Sequence, residues 1–343
     1  MNKSIAVLGT GAIGSCVGAD LTRAGYDVVL IDQWPAHIEA MKAHGLRVQL
    51  PDAELHAAVR AFHLCEVCTL KAPFDIVLMT AKSYDSTWLA EFIKPYLKAD
   101  GVLVPVQNSL NDEWVAPIIG AERDVGCVVE LSAEVFTPGV VQRNTAHEKA
   151  WFGLGELNGG ITPRLRELEA IMKNVGRVSL TQNIMGAKWT KLISSSMLLG
   201  PLGVLGLKLW EATEVPGVLE LLIRCGTESM LVARALGYSI EPIFGLSAED
   251  FAGSTEAVVK KLANTIVLHG KAGTRVRGVS LQDYLKGRQT ETGCLNGLIV
   301  AKGKQAAVAT PANAAVVQVD REICAGARQP GRANLARLQQ LIG

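Results

Sequence analysis

The stretch Ser4-Ile5-Ala6-Val7-Leu8-Gly9-Thr10-Gly11-Ala12-Ile13-Gly14 is an apolar run that breaks into glycines and then opens a helical pattern. It reads as the dinucleotide-binding fingerprint. Gly9 permits a tight turn off a buried strand, Gly11 lets backbone approach a pyrophosphate, and Gly14 lets the new helix pack closely on the strand. Thr10, Ala12 and Ile13 complete the loop, whose helix N-terminus offers unpaired N–H groups and a favourable dipole to an anion. The run Tyr26-Asp27-Val28-Val29-Leu30-Ile31-Asp32 follows as a second buried strand that ends in a carboxylate. A carboxylate there receives ribose hydroxyls and repels a 2′-phosphate. The next residues, Gln33, Trp34 and Pro35, bring no arginine, so the expected cofactor is NAD, with NADP disfavoured.

Working outward, strand and helix patterns alternate. Pro35 to Ala43 reads as a helix stopped by Gly45, and 47–64 as short strands. Asp75 to Thr80 is a buried strand with Ala81-Lys82-Ser83-Tyr84-Asp85 at its carboxyl end. A helix around Trp88 to Ile93 leads to a strand at Gly101 to Val106, which delivers Gln107-Asn108-Ser109 to the same edge. That edge is where open α/β sheets bind ligands. A helix over 112–119, strands over 125–131, 140–143, 150–154 and 177–180, and a helix begun by Thr162-Pro163 predict a mostly parallel, doubly wound sheet. Beyond Thr181 the period changes to 3.6, with helices expected over 184–199, 216–236, 247–270, 280–286, 292–303 and 311–325. Ser247 and Asp250 have the spacing of a capping box. The fold class is therefore α/β: an N-terminal Rossmann-type domain over 1–182, then an all-α domain over 183–343, expected to abut with a cleft between them.

Composition limits the partners. Among 343 residues, 49% are hydrophobic and the formal net charge is +1, which gives no electrostatic case for nucleic acid or an anionic membrane. The apolar stretch 192–207 is broken by serines, glycines and Pro201, so it reads as a buried helix and turn and not as a span of ~20 apolar residues. The fingerprint strand begins at Ser4, so no secretory leader is expected. Seven cysteines without framework spacing favour a reducing, cytoplasmic setting. His63, Cys65 and Cys68 form the one suggestive cluster, but no second C-x-x-C accompanies it, and no metal site is expected.

Three groups are candidates for chemistry. Lys82 stands at the sheet edge, where a cation meets cofactor phosphate or a substrate carboxylate. Lys188 and Lys191 lie one turn apart on an apolar helix, and desolvation makes such a lysine a proton donor. Glu291, in Arg288-Gln289-Thr290-Glu291-Thr292, reads either as a site carboxylate or as a helix-start acid.

These pieces resemble the ketopantoate reductase (2-dehydropantoate 2-reductase) family along nearly the whole chain. Those that carry the resemblance are Gly9 to Gly14, Thr80-Ala81-Lys82-Ser83, Val106-Gln107-Asn108-Ser109, Lys188-Trp189-Thr190-Lys191-Leu192, Pro201-Leu202, Gln289-Thr290-Glu291, Asn296-Gly297 and Thr310-Pro311-Ala312-Asn313. The resemblance implies that Lys191 protonates the substrate's carbonyl oxygen, that Asn108 and Lys82 orient cofactor and substrate, and that Glu291 positions substrate. Three departures stand out. The family's asparagine a turn after the lysine is replaced by Ser194-Ser195-Ser196, its serine upstream of the glutamate aligns with Val279 beside Ser280, and its asparagine before Pro201 is Gly200. Ser195 and Ser280 are thus the substrate-binding candidates beside Lys191 and Glu291. The expected activity is interconversion of a small 2-oxo acid and its 2-hydroxy acid, with a homodimer as the candidate assembly. The alternatives are an NAD-dependent dehydrogenase of another hydroxy acid or polyol acid, and a non-catalytic nucleotide-binding protein.

Overall fold

The computed structural model describes residues 3–243, 246–247, 249–251, 253–271 and 276–343. It divides into two compact units, the first ending at Met185 and the second beginning at Gly186. In the first unit, β1 (Ser4–Leu8), α1 (Ala12–Arg23), β2 (Asp27–Asp32), α2 (Pro35–His44), β3 (Leu46–Gln49), β4 (Glu54–Ala57), β5 (Arg60–His63) and β6 (Phe74–Met79) follow in order. They are succeeded by α3 (Ser86–Ile93), β7 (Leu97–Pro105) and α4 (Asp112–Ile119). The central sheet has five parallel strands in the order β5-β2-β1-β6-β7. Because the chain runs outward from β1 on one side and resumes on the other at β6, the β1–β6 seam is the topological switch point.

Alternation of side chains explains why these strands are apolar throughout. Ile5, Val7, Val28, Leu30, Ile76, Leu78, Val102 and Val104 join a core with Cys16, Val17 and Leu21 of α1. Their neighbours Ala6, Leu8, Val29, Ile31, Val77, Met79 and Leu103 join a second core with Leu89, Ala90 and Ile93 of α3 and Val115 and Ile119 of α4. Both faces of the sheet are covered, as parallel sheets require.

The remaining strands do not extend this sheet, which differs from the single sheet expected. These are β8 (Val125–Glu130), β9 (Ala133–Thr137), β10 (Val140–Arg143), β11 (Trp151–Glu156) and β12 (Arg177–Leu180), with α5 (Pro163–Met172) between the last two. Together with β3 and β4 they form a four-stranded sheet β4-β3-β10-β9 and a three-stranded sheet β12-β11-β8. Antiparallel pairing of β3 with β4, β9 with β10 and β8 with β11 makes this possible. The buried guanidinium of Arg143 staples the layers, pairing with Asp20 of α1 and donating to the Val175 carbonyl at 2.7 Å.

The second unit is helical. Its elements are α6 (Ile184–Val204), which starts in the last residues of the first unit, α7 (Val218–Ala235), α8 (Thr255–Lys271), α9 (Val279–Leu285), α10 (Asn296–Gln305), α11 (Pro311–Cys324) and α12 (Asn334–Ile342). Three expectations need correcting. The turn expected at Pro201 is absent: α6 runs through it to Val204 and is closed by Gly206, whose φ of 65° allows Leu207 N–H to reach the Leu202 carbonyl at 2.9 Å. The capping box of Ser247 and Asp250 forms, with Ser247 N–H bonded to Asp250 at 2.7 Å, but it closes a short turn at Glu249–Phe251. The helix expected from Ser247 begins only at Thr255, and positions 248 and 252 of that expectation lie outside the described residues. Helix α12 was not anticipated. Among the described residues, no helix is long and apolar enough to cross a membrane.

Four helices of this unit are joined by one buried polar lattice. Glu228 of α7 accepts from the backbone N–H of Ala312 at 2.8 Å and of Asn313 at 3.0 Å, capping the start of α11 from across the interface. Asn313 Nδ2 donates to Glu228 and to the Cys225 carbonyl, and Asn296 Nδ2 donates to Asn313 Oδ1 at 2.9 Å and to the Ser196 carbonyl of α6 at 2.7 Å. Burial pushes the Glu228 carboxyl above its ordinary range, against the pull of these donors. Glu228→Ala leaves buried N–H groups without an acceptor, so urea denaturation should show a loss of at least ~2 kcal/mol. Affinity for a nicotinamide dinucleotide should be unchanged.

Candidate functional site

The carboxyl edge of the parallel sheet collects the loop 9–14 after β1, Asp32 at the end of β2, Lys82 after β6 and Asn108 after β7. Steric detail separates the roles of the three fingerprint glycines. A Cβ on Gly9, whose φ is 92°, would stand 2.5 Å from the backbone of Ala81, and one on Gly14 would stand 2.2 Å from the Gly9 carbonyl oxygen and 2.4 Å from Thr80 Oγ1. A Cβ on Gly11 meets nothing within 4 Å. Gly9 and Gly14 are thus required by packing, whereas Gly11 faces open space at the N-terminus of α1, which has no side-chain cap. Thr10 Oγ1 is buried and has no hydrogen-bond partner among the described residues. An open cradle, uncapped helix N–H groups and an orphaned hydroxyl fit the pyrophosphate of a dinucleotide.

At the adjoining strand end, Asp32 Oδ1 accepts from Trp34 N–H at 2.7 Å, which fixes the carboxylate. The two loops beyond β6 and β7 are laced together. Gln107 Nε2 donates to the Ala81 carbonyl at 2.7 Å and to Ser86 Oγ at 3.0 Å, while Ser86 Oγ donates to Asn111 Oδ1 at 2.8 Å. Ser83 Oγ donates to the Asn108 carbonyl at 3.0 Å, and Asn111 Nδ2 donates to the same oxygen. Asn108 is therefore held through its backbone and keeps its side chain half-exposed. Ser109 beside it has a φ of 80°, a left-handed conformation rare outside glycine. Ser86 and Asn111 stand outside the sequence motifs, and the signal they carry is a polar residue at an otherwise apolar helix start.

In the helical unit, Lys191 is half-buried whereas Lys188 is 1% exposed. Ser194 Oγ bonds back to the Lys191 carbonyl at 2.8 Å, and Ser196 Oγ bonds to the Ile193 carbonyl and to Ser229. Ser195, one turn after Lys191, has no such bond among the described residues. Glu291 is buried, its carbonyl accepting from Cys294 and Leu295 N–H. Its segment is anchored by Asp320, which accepts from Thr290 Oγ1 at 2.6 Å and from the Tyr284 hydroxyl. Burial pushes the Tyr284 phenol upward, with Asp320 adding to it. Asp320 is a third residue, after Ser86 and Asn111, that the sequence motifs do not point to.

Two departures from the family pattern acquire physical reasons. A Cβ on Gly200 would lie 2.2 Å from Asn296 Oδ1 and 3.0 Å from Val316 Cγ1, so the space of the absent asparagine side chain is taken by Asn296. Ser280 is fully buried: a Cβ on Gly203 would lie 2.6 Å from Ser280 Cβ, and the Ser280 hydroxyl has no partner among the described residues. Val279, beside it, is half-exposed. Elsewhere, His63 bonds to Glu39, and Cys68 Sγ to the Cys65 carbonyl. Among the described residues, no group of three or more His, Cys, Asp or Glu side chains is placed to hold a metal ion.

The glycine geometry predicts two different outcomes. Gly14→Ala should lower unfolding stability by about 1–3 kcal/mol, as overpacking against backbone does. Gly11→Ala should leave the urea midpoint in place and weaken binding of a nicotinamide dinucleotide by roughly tenfold or more, read by calorimetry, because its methyl fills the cradle.

Comparison with known proteins agrees with this geometry. The sequence profile described as "Ketopantoate reductase PanE/ApbA" matches residues 5–156, and "Ketopantoate reductase PanE/ApbA C terminal" matches residues 183–323. A 2-dehydropantoate 2-reductase from Pyrococcus horikoshii is 27% identical, over 90% of this chain and 93% of its own. The crystal structure of a PanE/ApbA family ketopantoate reductase from Ralstonia eutropha JMP134 superposes with a TM-score of 0.78 at 25% identity, covering 94% of this chain and 99% of that one. A D-mandelate dehydrogenase solved with NADH and anilino(oxo)acetate shares the fold, with a TM-score of 0.79 at 20% identity over 98% of this chain and 99% of that one. The chain belongs to the ketopantoate reductase family, as a nicotinamide-dependent oxidoreductase that acts on the CH–OH group of a small hydroxy acid or on the corresponding keto acid.

Proposed function

We propose that the protein uses NADH to reduce a small 2-oxo acid, and that Lys191 is the proton donor. The observation that carries this reading is the contrast between two lysines one turn apart on α6: Lys188 is enclosed, while Lys191 reaches the surface beside Ser195. Bound nicotinamide supplies a hydride to the carbonyl carbon. Negative charge then develops on the carbonyl oxygen, and the Lys191 ammonium stabilises it and transfers a proton to it, leaving a neutral amine that solvent reprotonates. Asn108 and Lys82 orient cofactor and substrate, and Glu291 positions the substrate's polar groups. The loop of Gly9, Thr10, Gly11, Ala12, Ile13 and Gly14 receives the pyrophosphate, with Gly11 facing it and Gly9 and Gly14 holding the loop in place by packing.

The preference for NAD rests on Asp32. Its carboxylate is fixed by the Trp34 N–H and presents its other oxygen to a ribose, where a 2′-phosphate would meet repulsion. Gln33 beside it bonds to Asp85, a second carboxylate, and the residues that directly follow Asp32 in the chain, Gln33, Trp34 and Pro35, include no arginine for a phosphate.

The substrate reading rests on α9. With Ser280 turned onto α6 and Val279 half-exposed, the first turn of this helix offers an apolar side chain where the family's serine would offer a hydroxyl. A substrate lacking a polar tail should therefore compete well with 2-dehydropantoate, the acid named in the curated relatives. A missing hydrogen-bond partner costs about 1–3 kcal/mol.

Lys191→Ala should lower kcat by roughly 10²- to 10⁴-fold while the NADH dissociation constant stays within about twofold. Near-normal turnover would remove Lys191 from the mechanism. Steady-state assays with both cofactors against 2-dehydropantoate and a panel of apolar 2-oxo acids test the rest. NADH should give the higher kcat/KM, and an apolar acid should surpass 2-dehydropantoate by roughly tenfold or more. NADPH equal to NADH would overturn the Asp32 reading, and 2-dehydropantoate as best substrate would overturn the Val279 reading.

A further inference from the structure

A buried polar relay ties the phosphate loop to the β9–β10 turn. His37 of α2 is fully buried, and its Nδ1 accepts from the Gly139 N–H at 2.9 Å. With Nδ1 an acceptor, the neutral ring carries its proton on Nε2, which lies 3.1 Å from Ser15 Oγ and donates to it. Ser15, also fully buried, donates in turn to the Thr10 carbonyl at 2.8 Å. Each bond fixes the direction of the next, and the chain ends on the peptide that joins Thr10 to Gly11.

That peptide matters because its N–H belongs to Gly11, the residue facing open space at the helix start. Fixing the Thr10 oxygen fixes the orientation of this amide plane. The other side of the imidazole is set by Trp34, whose ring stacks on His37 at 5.1 Å with an interplanar angle of 19°. The Trp34 N–H is the group held by Asp32. One imidazole thus links the carboxylate that meets ribose to the loop that meets pyrophosphate.

We propose that His37 is a positioning residue for the nucleotide: through Ser15 it holds the Thr10–Gly11 peptide in the orientation that receives the pyrophosphate. This rests on the reading of the sheet edge as the NADH site, which wild-type binding tests separately. Within it, His37 contributes to affinity for phosphate-bearing ligands and contributes little to affinity for adenosine alone.

Calorimetric titration of the full chain with NADH, ADP and adenosine tests this, together with kcat at saturating NADH. Ser15→Ala, a small change that leaves α2 and Gly139 in place, should raise the dissociation constants of NADH and ADP by roughly five- to tenfold, the worth of one hydrogen bond. Adenosine affinity and kcat should stay within about twofold. His37→Leu should do the same, and the double variant should be no worse than the worse single one, since both break one chain. His37→Gln, which keeps a donor near the Nε2 position, should recover most of the affinity. Unchanged NADH and ADP affinities in folded Ser15→Ala, or equal losses for adenosine and ADP, would overturn the proposal. Failure of the wild-type protein to bind NADH would instead overturn the reading on which it rests.

Discussion

The close approach of α1 to the β1–β6 seam is the constraint on which the first unit depends. At Gly14 there is no room for even one carbon between the helix, the Gly9 carbonyl and Thr80. This contact sets the height of α1 above the sheet, and with it the direction in which the helix N-terminus points. The turn at Gly9 is pinned by Ala81, the residue before Lys82, so the glycine loop and the lysine loop take their positions from each other. Packing of this kind transmits geometry because interiors are dense and shift little.

The central sheet was legible because its strands are apolar on both faces and because glycines and helix caps punctuate the helices between them. The division of the other strands into two further sheets was not, since four-residue strands such as β3, β4 and β10 carry too short a pattern to reveal their partners. Helix ends failed where tertiary structure overrode a local signal. Pro201 reads as a stop, yet α6 continues through it to Val204, and the left-handed conformation of Gly206 closes the helix. Ser247 and Asp250 do form the expected box, on a shorter element than expected.

For the candidate site, sequence order indicated which residues share the sheet edge, because strand direction alone decides that. It did not reveal which polar residues support the others. Asn296 and Thr310-Pro311-Ala312-Asn313 stand among the motifs that mark the family, but their side chains and amides here are engaged by Glu228, Ser196 and Cys225 inside the helical unit. A motif can be characteristic because it builds the scaffold. The reverse holds for Ser15 and His37, which look like ordinary helix residues until Gly139, far away in the chain, completes their hydrogen bonds.

The backbone at Ser109 carries one more consequence. A non-glycine residue at a φ of 80° stores about 1–3 kcal/mol of strain, and here the lacing of Ser83, Gln107 and Asn111 around Asn108 restrains it. Glycine at this position would relax the loop and raise the melting temperature, yet it would also widen the range of directions in which the neighbouring amide can point. Thermal robustness and aim are therefore in opposition at a single peptide, and a search for hardier variants would favour a substitution that blurs the carboxyl edge of the sheet.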